Sequence, residues 1–85
     1  MAPDTIEDRL KRMIVERLFM RIAPEEIDTQ KSLIDNYGVD SVSLLELVVG
    51  VEEEFGIEVG DEDFNVQSFQ SVEALAALVR SKLDA

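Results

Sequence analysis

The sequence predicts an all-α protein, a small four-helix bundle of three main helices plus one short helix, up-and-down with a long first loop. Three observations carry this expectation. Apolar residues recur at helical spacing in three separate stretches, Ile6 to Leu18, Leu44 to Phe55 and Val72 to Leu83. Each stretch follows a residue able to cap a helix, Thr5 or Asp4 for the first, Asp40 for the second and Ser71 for the third. Finally, 85 residues suffice for one modest core, burying roughly three-fifths of the unfolded chain's surface. The chain is therefore read as a single domain over residues 1–85.

In the first helix Ile6, Leu10, Met13, Ile14 and Leu18 share a face, and Asp8 stands three residues after Thr5 as in a capping box. Pro3 lies just outside it. The periodicity runs to Met20 or Ile22, with Pro24 as the stop. Glu7, Lys11, Glu16 and Arg17 alternate in sign on the exposed side, ordinary decoration to which no function is assigned. Pro24 to Asp40 reads as a long connection with Asn36 and Gly38 as turn residues, pinned by Ile27, Leu33, Ile34 and Tyr37. So long a connection in a small domain often serves a function.

The second helix begins at Ser41 and runs to about Phe55. Leu44, Leu47, Val48, Val51 and Phe55 form its core stripe. Val42, Leu45 and Val49 make a second apolar stripe, flanked by Glu46, Glu52 and Glu53 and centred roughly 130° away on a 3.6-residue projection. Such a stripe is either covered by a neighbouring helix or left as an acid-rimmed binding patch. Periodicity alone favours cover.

Beyond Gly56, the stretch Gly60 to Phe64 is expected as a short helical turn or loop. Asp61, Asp63 and Asn65 mimic the start of a calcium loop, but Val66 stands where glycine is required and Val72 where the bidentate glutamate belongs. No metal site is expected. The last helix follows Ser71 to about Leu83, with Val72, Leu75, Ala76, Val79 and Leu83 inward and Arg80 and Lys82 near its negative end.

Composition narrows the function. Hydrophobic residues make up 46% and charged residues 32%, a globular balance, and with 6% aromatic the core must be mostly Leu, Val and Ile. There is no cysteine, so neither disulfides nor thiolate metal sites are available, which fits a reducing compartment. Met1-Ala2-Pro3-Asp4 leads into charged residues rather than a signal sequence, and no apolar run is long enough to span a bilayer. A cytoplasmic protein is expected. The net charge is −11, with 19 acids against 8 bases, and residues 32–79 contain eleven acids and no Lys or Arg. Nucleic acid is a poor partner for such a surface. Basic protein surfaces are natural ones, although charge alone does not separate a docking face from a solvated face.

The stretch Gly38-Val39-Asp40-Ser41-Val42 holds the candidate working residue. Gly38 can take a left-handed turn, Asp40 caps, and Ser41 is left at a helix N-terminus, where the dipole and free amides favour a phosphate ester. A self-activated nucleophile is not expected, because the chain has no histidine or cysteine to act as base or nucleophile.

From Gly38 to Val59, Gly-Val-Asp-Ser-Val and, after Ser43, Leu-Leu-Glu-Leu-Val-Val-Gly-Val-Glu-Glu-Glu-Phe-Gly-Ile-Glu-Val, the chain resembles acyl and peptidyl (aminoacyl) carrier proteins, with the resemblance extending over roughly residues 32–83. It implies an acyl-carrier-protein-like bundle in which a partner transferase uses coenzyme A to esterify Ser41 with 4'-phosphopantetheine. The arm's thiol then carries acyl or aminoacyl intermediates as thioesters between biosynthetic enzymes. Asp40 would contact the transferase and help orient the hydroxyl. Val42, Leu45 and Val49 would be exposed partner contacts, and Glu46, Glu52 and Glu53 would pair with basic residues of activating ligases and synthases. The resemblance thus reverses the reading of the second stripe from covered to exposed. Val42 in place of the commoner leucine, and Gly60 in place of a frequent proline, depart from the pattern without touching the attachment chemistry.

A monomer is expected. The missing base beside Ser41 argues against an enzyme, the acidic surface against nucleic acid and the absence of a long apolar run against a membrane partner. Acidity in the second helix leans toward fatty-acyl or polyketide partners, whereas the tail from Phe64 to Glu73 looks closer to free-standing carriers served by amino-acid-activating ligases. The rival from another class is a non-enzymatic acidic adaptor with Ser41 only a cap. Crowded like charges repel, so added salt or magnesium is expected to raise the melting temperature. A thermal melt that stays flat or falls across the titration contradicts this.

Overall fold

The computed structural model describes residues 5–60, 63–65 and 67–84. Among these, four α-helices carry the fold: α1 (Ile6–Arg17), α2 (Leu33–Tyr37), α3 (Ser41–Phe55) and α4 (Val72–Asp84), with a 3₁₀ turn at Pro24–Glu26. The all-helical bundle is thus as expected, and α3 has the bounds read from the sequence.

Local chemistry sets most helix ends. Thr5 Oγ1 accepts from the Asp8 amide at 3.0 Å while the Asp8 side chain accepts from the Thr5 amide, a complete capping box. The alternative cap, Asp4, and Pro3 lie outside the described residues, as do Asp61, Glu62 and Val66 of the calcium-like run. Ser71 Oγ accepts from the Ala74 amide at 3.1 Å at the head of α4.

Three expectations are corrected. The first helix ends at Arg17 rather than at Met20 or Ile22, because the chain turns at Phe19 with φ 51° and leaves the helical path. Leu18, Met20 and Ile22 still pack against the core, but from a loop, so their apolar character mimicked continued periodicity. Pro24 starts the 3₁₀ turn instead of stopping α1. Second, the short helix lies inside the expected connection, at Leu33–Tyr37, where Ser32 Oγ accepts from the Asp35 amide at 3.1 Å. Third, Leu83 is 52% exposed, since α4 outruns the helices that cover its earlier turns.

The core comprises Leu10, Met13 and Ile14 of α1, Leu44, Leu47, Val51 and Phe55 of α3, Val72, Leu75, Ala76 and Val79 of α4, and Ile27, Leu33, Val39 and Phe69 from between the helices. Val48 is half-buried against it. Helix α1 packs against both α3 and α4. The long connection is fastened at both ends, with the Tyr37 hydroxyl accepting from the Asp28 amide at 2.9 Å and the Thr29 carbonyl accepting from the Glu73 amide at 2.9 Å.

At the α1–α3 crossing the Met13 and Arg17 side chains of α1 pack directly onto Gly50 of α3, where no side chain stands in their way. A Cβ there would lie 2.6 Å from Met13 Sδ and 3.3 Å from Arg17 Nε. Gly50→Ala is therefore expected to destabilise by about 1 kcal/mol net, overpacking of about 1–3 kcal/mol outweighing the roughly 0.8–1.0 kcal/mol that alanine returns in helix propensity. Placed in a Met13→Ala background the same substitution is expected to be neutral or stabilising, since the obstructing sulfur is gone. Urea denaturation of the four chains of this double-mutant cycle checks the change of sign.

Candidate functional site

The site is built at the junction of α2 and α3. Gly38 ends α2 in the left-handed region, φ 69°, and its amide donates to the Leu33 carbonyl. Val39 follows, 3% exposed in the core, and anchors the turn from below. Asp40 is then placed as the N-cap of α3, its Oδ1 accepting from the Ser43 amide at 2.8 Å. Ser41, the first residue of the helix, is exposed.

The electrostatics at this point have two parts. The amide end of a 15-residue helix presents partial positive charge, which suits a phosphoryl group. The Asp40 carboxylate opposes it, and bonds from the Ser43 amide and then the Ser43 hydroxyl hold that carboxyl below the usual carboxylate range. Asp40 is accordingly charged and directed at the first turn of α3. Ser41 has no imidazole or thiol to call on anywhere in the chain, so its hydroxyl is suited to modification by another enzyme's base rather than to attack of its own.

The second stripe of α3 faces solvent. Val42 is 73% exposed, Leu45 58% and Val49 44%, so the two apolar faces that periodicity distinguished have opposite fates. Helix α1 and the shared core cover the first face, and the second runs down from Ser41 without cover among the described residues.

The acids beside that stripe are engaged within the chain, which the sequence did not foretell. Arg17, at the end of α1, forks to two carboxylates of α3, with Nη1 3.0 Å from Glu46 Oε1 and Nη2 donating to Glu53. Glu52 turns the other way, its Oε2 accepting from the Val59 amide at 2.9 Å to hold the chain that leaves α3. A second arginine of α1 does similar work below, as Arg9 Nε lies 3.0 Å from Glu54 Oε2 and its guanidinium sits 4.5 Å over the Phe55 ring. Glu46 and Glu53 remain exposed, so a partner's cations could exchange with Arg17, whereas Glu52 is half-buried in its bond. The alternating charges of α1 had pointed to pairs within that helix, and the only sequence signal for the cross-helix pairs was the absence of any base in residues 32–79.

Asp40 supplies a pH test. Its folded pKa is lowered, so its stabilising effect is fully present above the ordinary carboxylate value, about 3.9, and fades as pH falls through the lower folded value. Asp40→Ala is expected to lower the melting temperature at pH 7 and to differ progressively less from the parent below about pH 4. Circular-dichroism melts across pH 2–7 measure the gap, and a gap independent of pH contradicts an ionic cap.

Comparison with known proteins agrees with this architecture. The family model described as "Phosphopantetheine attachment site" matches residues 8–79. An acyl carrier protein of Nitratidesulfovibrio vulgaris strain Miyazaki F is 32% identical over 78 residues, covering 92% of this chain and 97% of that protein. One from strain DP4 is 36% identical over 59 residues, covering 69% and 75%. In fold, the chain is similar to the NMR structure of holo acyl carrier protein from Nitrosomonas europaea, with TM-score 0.84 at 20% identity over 96% of this chain and 100% of that one. It is also similar to apo KstB-PCP, with TM-score 0.71 at 27% identity over 87% and 81%. With a match spanning nearly all of the helical bundle and a relative this similar along nearly its full length, the chain belongs to the phosphopantetheine attachment site family and is a carrier protein of the acyl-carrier type, bearing 4'-phosphopantetheine covalently.

Proposed function

We propose that Ser41 is the attachment residue and that residues 1–85 act as one monomeric carrier domain in the cytoplasm, holding an acyl thioester at the tip of the arm. The observation that carries the assignment is the exposed Ser41 hydroxyl at the N-terminus of α3, directly after the charged cap Asp40. A phosphodiester there meets the favourable end of the helix dipole and open solvent, so the group fits the residues present. In the loading step the Ser41 oxygen bonds to the phosphopantetheine phosphorus of coenzyme A, the nucleotide part leaves, and the hydroxyl proton passes to the transferase. When bound, the arm supplies a thiol for thioester chemistry. This chain supplies its footing and the surface that visiting enzymes read.

On this reading Asp40 meets the transferase, Val42, Leu45 and Val49 form the apolar centre of a docking face, and Glu46 and Glu53 form its acidic rim. The rim attracts basic surfaces over long range while the small apolar area keeps each complex short-lived. Glu52 contributes at the cost of its bond to the Val59 amide, and so less than the other two. The names of the curated relatives favour an acyl cargo. Reaction chemistry belongs to the activating ligases, synthases and transferase, and this chain is not an enzyme. Among the described residues no helix is long and apolar enough to cross a membrane.

Incubation with coenzyme A and a broad-specificity phosphopantetheinyl transferase, followed by intact-mass analysis, is expected to add one phosphopantetheine group. Ser41→Ala is expected to keep its helical circular dichroism and gain nothing. A wild-type chain left unmodified under conditions that load a control carrier would overturn the assignment, as would modification of the Ser41→Ala chain.

A further inference from the structure

Phe19 has no place in the reading so far, and it is unusual in two independent ways. It is the one non-glycine residue with positive φ among the described residues, at 51°, a conformation that bulky side chains avoid. It is also the most exposed of the large hydrophobic residues, 89% accessible, where a phenylalanine ordinarily seeks cover. Strain and exposure at one residue both cost stability, and neither is offset by packing of the ring. An outlier of this kind points to a use outside the fold.

Its position indicates the use. Phe19 and Leu18 line one side of an open surface groove whose other side is Val42, Ser43 and Glu46. Val42 and Ser43 are the two residues that follow Ser41, so the left-handed turn after α1 brings an aromatic ring to the edge of the attachment site. It thus adds a second apolar side chain beside Val42 at the first turns of α3. The ring is a projecting knob rather than a covered wall, so its complement is a socket on another protein.

We propose that Phe19 is a docking residue for the transferase that loads Ser41, seated in an apolar socket of that enzyme; this rests on the carrier reading above. Reach selects this partner among the enzymes that visit. Other visitors need only the face that runs down α3 and do their chemistry at the far end of the arm, whereas the transferase must bring its own reacting groups onto the Ser41 oxygen and therefore covers whatever borders it. Charge agrees. An enzyme that holds the phosphates of coenzyme A presents cations at its mouth, and exposed Glu16 and Glu46 line the groove beside the aromatic ring, with Glu46 already paired to Arg17, while exposed Asp40 directly precedes the serine.

The test compares loading kinetics of the full chain with coenzyme A and the same broad-specificity transferase. Phe19→Gly removes the ring and relieves the left-handed strain, so its melting temperature is expected to equal or exceed that of the parent. Its KM as carrier substrate is expected to rise about five- to thirtyfold, the range for loss of an aromatic interface anchor, with kcat little changed. Phe19→Tyr is expected to keep the parental KM, and Leu83→Ala, at an exposed apolar residue on the last turn of α4, serves as control. A Phe19→Gly chain loaded with parental KM overturns the proposal while leaving the carrier reading intact, as does an equal rise in KM for Leu83→Ala. Failure of the parent to load at all defeats the carrier reading instead.

Discussion

One helix with two apolar faces, in a bundle able to cover only one of them, is the constraint on which this structure depends. Leu44, Leu47, Val51 and Phe55 bind α3 to the core. Val42, Leu45 and Val49 are left outside. Full burial of a Val or Leu side chain is worth about 1.5–3 kcal/mol, so the fold forgoes a stabilisation comparable with a good part of the 5–15 kcal/mol typical of a whole small domain. That forgone burial is available to a partner, and because each contact is only partly apolar and the area is small, it favours brief association over a permanent complex.

The tight crossing of α1 over α3 makes the arrangement possible. Gly50 lets Met13 and Arg17 come down onto α3, and from there Arg17 reaches Glu46 and Glu53. The same crossing that packs the core thus neutralises part of the acidity beside the exposed stripe. Surface ion pairs of this sort contribute little to stability and exchange readily with other cations. Arg17 lessens repulsion among the acids of α3 while leaving Glu46 and Glu53 exposed. The acids have divided roles: Glu46 and Glu53 hold an exchangeable arginine, whereas Glu52 and Glu54 tie α3 to the chain after it and to Arg9.

Around Ser41 a few residues set the local geometry. Gly38 makes the turn, Val39 pins it to the core, and Asp40 caps the helix and sets its first amides. Ser41 is then held in the open by bonds that belong to its neighbours, so that modifying its hydroxyl breaks none of the contacts that position it. Phe19 reaches the groove beside Val42 and Ser43 by a left-handed turn that lies outside any helical pattern.

By itself the sequence determined what local rules decide. The start of α1, both ends of α3 and the cap of α4 were legible because capping and 3.6-residue periodicity act over a few neighbouring residues, and Ser41 at a helix start followed from Asp40 and Gly38. Only the tertiary structure decided where apolar residues go once the helices are placed. Leu18, Met20 and Ile22 are apolar because the core covers them from a loop, and periodicity cannot separate that from another helical turn. Leu83 fits the inward pattern of α4 yet lies beyond its cover. Arg17 pairs with carboxylates 29 and 36 residues away, a separation over which no local signal survives. The exposure of Val42, Leu45 and Val49 belongs to this second class: a helix carries its stripes in its own sequence, but which of them meets water depends on how many neighbours the finished bundle has to offer.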